Sequence, residues 1–151
     1  MAFKRILCAV DFSETSLEAF RRAAEIARRF ASSLYVLHVI EARPVASDLI
    51  GGDAVGEMAV ELEEKATAAL ESLVESSASD LEGVRVSLEV TAGRAFVEIL
   101  NRARDWEADL IVLGAKGAMA LEQIIVGGTA ERVMKGAQCS TLIVRVTPPT
   151  G

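Results

Sequence analysis

The chain has 151 residues, of which 25% are charged and 51% belong to the hydrophobic class. This length and composition predict one globular domain with a substantial core. The formal net charge of −6 argues against a nucleic-acid binder, which needs a basic surface to replace the counterions of phosphates. It still permits a small anionic ligand at a helix end.

Signals for metals, secretion and membranes are weak. The two cysteines, Cys8 and Cys139, lack C-x-x-C spacing, and a zinc site is not expected with His38 as the single histidine. The apolar run Ile6–Val10 is too short for a signal peptide, and no stretch approaches the ~20 apolar residues of a membrane span. We therefore expect a soluble cytoplasmic protein whose partners include neither nucleic acid nor membrane.

The first half of the chain alternates apolar runs with helical patterns. Ile6–Val10 and Leu34–Ile40 are continuously apolar, which predicts strands covered on both faces. Ser13 is the expected N-cap of the amphipathic helix between them. A proline and paired glycines predict a long, mobile loop over Glu41–Val55, and a helical pattern then runs from about Gly56 to Ala78.

The second half continues the alternation. Val84–Val90 alternates apolar and polar residues, which predicts a half-exposed strand at a sheet edge. A third helix is expected over Phe96–Trp106, followed by a short apolar strand at Asp109–Leu113. A glycine-rich connection leads to a fourth helix around Ala130–Ala137, and Thr141–Val146 is the last predicted strand.

Five strands separated by four helices predict an α/β domain with a parallel sheet, because each helical crossover returns the chain to the same end of the sheet. Right-handed crossovers make this a doubly wound sheet with helices on both faces. We expect one domain over residues 1–147 and a disordered tail at 148–151. The pattern alone does not give the strand order.

Ligands of open parallel sheets bind beyond the C-terminal ends of the strands. Asp11 follows the first strand, where it is either a turn residue or a hydrogen-bond acceptor for a ligand. Gly114-Ala115-Lys116-Gly117 follows the fourth strand, and Gly127-Gly128-Thr129 opens the next helix. Four glycines let the backbone approach a ligand closely and tolerate positive φ, and helix N–H groups favour phosphate. The alternative is a flexible connection with a glycine-rich helix start, and Lys116 either contacts a phosphate or is solvated.

Two standard nucleotide motifs are absent, since neither G-x-x-x-x-G-K-[ST] nor G-x-G-x-x-G after the first strand occurs. A catalytic constellation is not evident either. His38 lies within a strand and is expected to be structural rather than a general base, Ser13 has no visible base partner, and Mg²⁺ ligands are not apparent. We therefore expect little or no catalytic turnover.

Ile6–Ser13 resembles the opening of universal stress proteins, and Leu37–Glu41 resembles their second strand. The glycines at 114, 117 and 127 resemble their ATP signature, G-x2-G-x9-G-[ST], and Ala130–Val133 resembles the helix that follows. The resemblance covers the chain except the 41–55 loop. It implies an adenine nucleotide alpha hydrolase-like fold with strand order 3-2-1-4-5, and a homodimer. In that order the apolar last strand, Thr141–Val146, lies at the sheet edge, so we expect the dimer to form through it.

The ATP-binding branch of the family also implies a set of site residues. The positions of Asp11 and Val39 meet adenosine, and Gly114, Gly117 and Gly127, with the residue that follows, cradle ribose and phosphates. Lys116, Gly128 and Thr129 complete our candidate set. The signature has Ser or Thr where this chain has Gly128, so a hydroxyl contact to the outer phosphate is lost unless Thr129 supplies it. ATP, ADP and AMP are all candidate ligands, with Mg²⁺ as a companion of the nucleotide.

Three functions follow from these observations. The first is a nucleotide-dependent signalling or binding module that protein partners, not identified by the sequence, would sense. The second is a slow ATPase or a self-phosphorylating protein, modified at Ser13, Thr15 or Thr129. The third is a dimeric interaction module without nucleotide. We favour the first, because neither a catalytic base nor metal ligands are evident.

Overall fold

The computed structural model describes residues 3–41, 52–117 and 126–146. Five strands alternate with four helices across these residues. In chain order they are β1 (Arg5–Ala9), α1 (Glu14–Phe30), β2 (Ser33–Ile40), α2 (Gly52–Ser76), β3 (Arg85–Ala92), α3 (Ala95–Trp106), β4 (Leu110–Gly114), α4 (Gly128–Gly136) and β5 (Ser140–Val144).

The strands form one parallel sheet in the order β3-β2-β1-β4-β5. This confirms both the doubly wound α/β fold and the strand order implied by the resemblance. β1 is the central strand, and its Leu7 pairs with Tyr35 of β2 on one side and with Ile111 of β4 on the other. The chain winds outward from β1 toward β3 and then from β4 toward β5. The order therefore reverses between β1 and β4, where open parallel sheets form their ligand crevice.

Two hydrophobic clusters cover the two faces of the sheet. Ile6 and Cys8 of β1 pack with α1, whose Phe20 is fully buried, while Leu7 faces the opposite side with Ile99 and Val133. Alternate side chains of a strand point to opposite faces, so one apolar run serves both clusters. Cys8 is fully buried, and burial raises the pKa of its thiol to about 12.

The first helix and the edge strand also follow the sequence predictions. Ser13 caps α1, because its Oγ accepts a hydrogen bond from the backbone N–H of Ser16 at 3.3 Å. β3 lies at a sheet edge, as its alternating pattern predicts. Its Glu89 accepts hydrogen bonds from the Tyr35 hydroxyl at 2.6 Å and from Arg102 Nε at 2.5 Å, which ties the edge strand to α3.

Most element boundaries lie within two residues of prediction, and the start of α2 differs most. α2 begins at Gly52, four residues before the predicted start, so the loop prediction is wrong at that end. Glycine weakens a helix chiefly in its interior, and Gly52 stands at the start of α2, so its presence does not exclude a helix there. β5 ends at Val144, two residues earlier than expected. The rest of the predicted loop, residues 42–51, and the tail at 148–151 lie outside the described residues.

None of the helices, within the part of the chain that the structure describes, combines the length and apolar character needed to cross a membrane.

Candidate functional site

A cavity of about 560 Å³ opens at the C-terminal ends of the central strands. Its walls come from the residues that end or follow β1, β2 and β4, from the N-terminal turns of α3 and α4, and from Ser16 of α1. This volume lies within the range of small-molecule sites. All the residues predicted as ligand contacts line this one cavity: Asp11, Val39, Gly114, Lys116, Gly117, Gly127, Gly128 and Thr129.

Gly114 is needed first for packing within the protein. A Cβ placed on Gly114 would lie 2.7 Å from both the backbone N of Ser16 and the backbone C of Thr15, and it would also meet Thr15 Oγ1. The first turn of α1 therefore presses directly against the end of β4. This close approach, rather than a ligand, is sufficient to require glycine at this position.

The other three glycines have different surroundings. A Cβ on Gly117 would lie 3.2 Å from Asp11 Oδ2, and one on Gly127 would lie 3.3 Å from the carbonyl oxygen of Ala115, whereas one on Gly128 would meet nothing within 4 Å. None of the four loop glycines has a positive φ, so that part of the prediction is wrong. The loop uses glycine for close contacts between chain segments, which do not require left-handed backbone.

The start of α4 forms one side of the cavity. Gly127 is extended, with φ −73° and ψ 164°, and as a glycine it has no side chain with which to cap the helix. The N–H of Gly127 itself donates to the carbonyl of Ala115 at 2.5 Å, which brings both ends of the glycine loop together. The first N–H groups of a helix have no partners within the helix and attract anions. The cavity therefore has one wall suited to phosphate.

A polar cluster joins β1 and α1 to the glycine loop. Asp11 Oδ1 accepts hydrogen bonds from the backbone N–H of Ser13, at 3.0 Å, and from Ser13 Oγ, while Thr15 Oγ1 donates to the carbonyl of Lys116 at 2.6 Å. Asp11 is thus a turn residue and a cavity residue at once. The prediction that Ser13 lacks a base partner is wrong, because the Ser13 hydroxyl donates a hydrogen bond to the Asp11 carboxylate.

Several cavity residues were not predicted as ligand contacts. His38 lines the cavity, its Nδ1 lies 2.7 Å from the carbonyl oxygen of Val10, and its ring contacts Phe12 at 5.0 Å between centroids. Glu41 Oε1 accepts a hydrogen bond from the N–H of Ala95 at 3.3 Å and so caps α3. Glu41 directly follows β2, so the rule that ligands bind beyond strand ends would have identified it.

The described residues do not form a side-chain metal site. Across 3–41, 52–117 and 126–146, no group of three or more His, Cys, Asp or Glu side chains is placed to hold an ion. The polar groups of the described cavity walls include backbone N–H groups, the carboxylates of Asp11 and Glu41, and the Lys116 ammonium, together with the His38 ring and the Thr129 hydroxyl. This set suits a ligand that carries both an anionic end and hydrogen-bond donors.

Solved structures share the whole fold. The structure of protein MJ0577 of Methanocaldococcus jannaschii superposes with a TM-score of 0.86 at 27% identity, covering 99% of this chain and all of that one. The universal stress protein from Archaeoglobus fulgidus in complex with dAMP superposes with a TM-score of 0.64 at 20% identity, covering 95% of this chain and 99% of that one. At 20% identity, the superposition on the Archaeoglobus fulgidus protein shows a shared fold alone.

Sequence comparison agrees with the structural comparison. Universal stress protein MJ0531 of Methanocaldococcus jannaschii is 32% identical over 145 residues, which cover 95% of this chain and 82% of that protein. The sequence profile of the universal stress protein family matches residues 2–145, nearly the full length. The chain belongs to the universal stress protein family.

Proposed function

We propose that this chain binds an adenine nucleotide in the cavity, with ATP as the preferred ligand and ADP or AMP as alternatives. The observation that carries the proposal is the convergence of all eight candidate residues on one cavity at the point where the strand order reverses. The dAMP complex of the Archaeoglobus fulgidus protein supports it at the level of the fold, since a protein of this architecture holds an adenine nucleotide.

The proposed pose follows from the chemistry of the walls. The Asp11 carboxylate accepts hydrogen bonds from the base or ribose, and Val39 provides apolar contact for the purine ring. The phosphates lie along the glycine loop and point their charge at the start of α4. Thr129 is the hydroxyl that the first turn of α4 offers in place of the one missing at Gly128. Mg²⁺ enters this proposal only as a companion ion held chiefly by phosphates, because the described side chains form no metal cluster.

We propose that nucleotide occupancy is the signal this protein transmits as a cytoplasmic binding module. The Thr15 hydroxyl donates a hydrogen bond to the carbonyl of Lys116, so a change in the glycine loop reaches the first turn of α1, where a protein partner would sense it.

We further propose a homodimer through β5, an edge strand whose Leu142 is 36% exposed. Such edges favour pairing with another chain, and a two-fold interface is the commonest arrangement. Light scattering should give twice the monomer mass at micromolar concentration.

Two measurements test nucleotide binding. Mass spectrometry of small molecules released from the purified protein should identify the resident nucleotide, and calorimetric titration with ATP, ADP, AMP and GTP should show the adenine preference. Gly117→Val should abolish binding, because a Cβ there already lies 3.2 Å from Asp11 Oδ2 and the valine methyl groups extend further. Gly56→Val is the matched control, since a Cβ on Gly56 meets nothing within 4 Å. A protein that purifies without nucleotide and gives no heat with any of the four would instead be a nucleotide-free interaction module.

One observation supports slow self-phosphorylation as a second candidate. Ser13 Oγ donates to the Asp11 carboxylate. Self-phosphorylation requires a second pose, with the terminal phosphate at Ser13 instead of at the start of α4. In that pose Asp11 would take the proton as the serine oxygen bonds to the terminal phosphorus and the bond to the ADP leaving group breaks. The same hydroxyl also caps α1, which holds it in a structural role. We expect turnover far below the ~10 s⁻¹ median of enzymes. Labelled-phosphate transfer from ATP that disappears in Ser13→Ala would establish this chemistry.

A further inference from the structure

Two arginines share one aromatic ring beside the cavity. The guanidinium carbon of Arg94, the residue before α3, lies 5.2 Å from the centroid of Phe96, and that of Arg132 in α4 lies 5.0 Å from the same centroid. We call this group the Arg94–Phe96–Arg132 cluster. It is built from residues far apart in sequence that the packing of α3 against α4 brings together.

The cluster is built on the helix starts that border the cavity, although Arg94, Phe96 and Arg132 are not themselves among the lining residues. Ala95 and Ile99, which flank Phe96 on α3, line the cavity, and so do Gly128 and Thr129 of α4. Arg132 follows Gly128 by four residues and therefore shares its helix face. Helical side chains lean toward the N-terminus of their helix, so from its place over Phe96 the Arg132 side chain is within reach of the turn that contains Gly128. A Cβ on Gly128 would meet nothing within 4 Å, so the space there is open.

Both guanidinium groups keep their donors available. Within the described ranges, neither Arg94 nor Arg132 forms an ion pair with a carboxylate or a side-chain hydrogen bond. The pKa of the neighbouring Glu131 is lowered chiefly by its hydrogen bond with Lys135 and to a smaller extent by the charge of Arg132. Stacking on an aromatic face leaves the N–H groups at the guanidinium edge free to bond. Because both guanidinium carbons lie about 5 Å from one centroid, they are no more than about 10 Å apart. Their fields overlap at physiological salt, where the Debye length is about 8 Å.

We propose that the Arg94–Phe96–Arg132 cluster binds the outer phosphates of the nucleotide and makes the site prefer a triphosphate over a monophosphate. The proposal rests on the proposed function and deepens it. The planar guanidinium groups bond two phosphate oxygens at once, which supplies the contact that Gly128 cannot make without a hydroxyl. Phe96, partly buried against the core cluster that contains Ile99, holds both arginines in place before the ligand arrives.

Charge-neutral variants test this directly. Calorimetric titration at 150 mM salt would compare Arg94→Gln, Arg132→Gln and the double variant with ATP, AMP and inorganic tripolyphosphate as probes. Each single variant should lose about fivefold to twentyfold in affinity for ATP and change less than twofold for AMP. Arg132→Lys should be intermediate, because lysine keeps the charge and loses the planar, two-pronged contact. Arg85→Gln is the matched control, since Arg85 is exposed at the first residue of β3, at the opposite end of the sheet.

The outcomes separate this proposal from the proposed function. ATP binding that Arg94→Gln and Arg132→Gln leave unchanged, or weaken to the same degree as AMP binding, overturns the phosphate role of the cluster and leaves the nucleotide site intact. Tripolyphosphate binding that depends on both arginines, without binding of any adenine nucleotide, supports the cluster and refutes the proposed function. A wild-type protein that binds none of the probes refutes both.

Discussion

Gly114→Ala is expected to destabilise the protein, and the reason is internal packing. A Cβ at this position would lie 2.7 Å from two backbone atoms of the first turn of α1, and real Cβ atoms essentially never make contacts under 3.0 Å. The clash cannot be relieved by rotating a side chain, because both atoms belong to the backbone of Thr15 and Ser16. Either α1 or the end of β4 must shift, and both pack in the core.

The size of the effect follows from the cost of overpacking. Forcing an extra carbon into a well-packed site costs about 1–3 kcal/mol, and we expect about 2–3 kcal/mol here because the backbone must move. With a urea dependence of about 2 kcal/mol per molar, the unfolding midpoint should fall by about 1–1.5 M. The matched substitution Gly128→Ala should change the free energy of unfolding by no more than about 0.5 kcal/mol, since its Cβ meets nothing within 4 Å.

Urea unfolding of nucleotide-free protein, followed by the fluorescence of the single tryptophan, measures both variants without a contribution from ligand binding. Adding Thr15→Ala to Gly114→Ala removes the clashing hydroxyl and leaves the two backbone contacts, so it should not restore stability. A Gly114→Ala protein that unfolds at the wild-type urea concentration would show that α1 does not approach β4 this closely. Full rescue by Thr15→Ala would show that only the side chain matters.

Three further predictions concern the loop, the edge strand and the thiols. Gly128→Ser should raise ATP affinity about threefold to tenfold with little change for AMP, because it adds a hydroxyl donor where φ is not positive and space is open; calorimetry showing no gain would contradict this. Tyr35, the single tyrosine, should ionise near pH 12 in an absorbance titration, because burial and its hydrogen bond to Glu89 raise its pKa to about 12. In the unfolded chain the tyrosine pKa is near 10, so the contribution of the Tyr35–Glu89 pair to the free energy of unfolding is lost as pH rises from about 10 to 12. Glu89→Gln should lower the pH at which Tyr35 is half ionised. Iodoacetamide at pH 8 should label half-buried Cys139 slowly and Cys8 only after unfolding, as read by peptide mass spectrometry; rapid labelling of Cys8 would refute its burial.

The fold follows from local patterns to a large extent. The apolar runs at β1 and β4 predict central strands because both faces of those strands are covered, and the alternating run at β3 predicts an edge strand. The strand order is different, since helices of similar length could connect the strands in several orders. It came from the resemblance, and the pairing of Leu7 with both Tyr35 and Ile111 confirms it.

The site was predictable where it depends on strand ends and glycine spacing. Asp11 and the loop glycines follow from those rules, and the structure brings them to one cavity. The Arg94–Phe96–Arg132 cluster was not predictable, because it depends on how two helices pack and leaves no periodic signal in the sequence. The role of Gly114 was also hidden, since the sequence does not show that the first turn of α1 presses against it.

The central position of β1 has a consequence for how the chain acquires its structure. β1 is the first of the described strands to be synthesised, yet one of its edges pairs with β4. In this pairing Ile6 lies opposite Leu110, about a hundred residues later in the sequence. Contacts so distant in sequence slow folding, because the chain must close a long loop before the contacts stabilise it. Domains are synthesised at about 5–20 residues per second, so β1 waits for several seconds on the ribosome with one edge unpaired. The nascent chain therefore cannot complete its cavity until the last third of the protein has emerged.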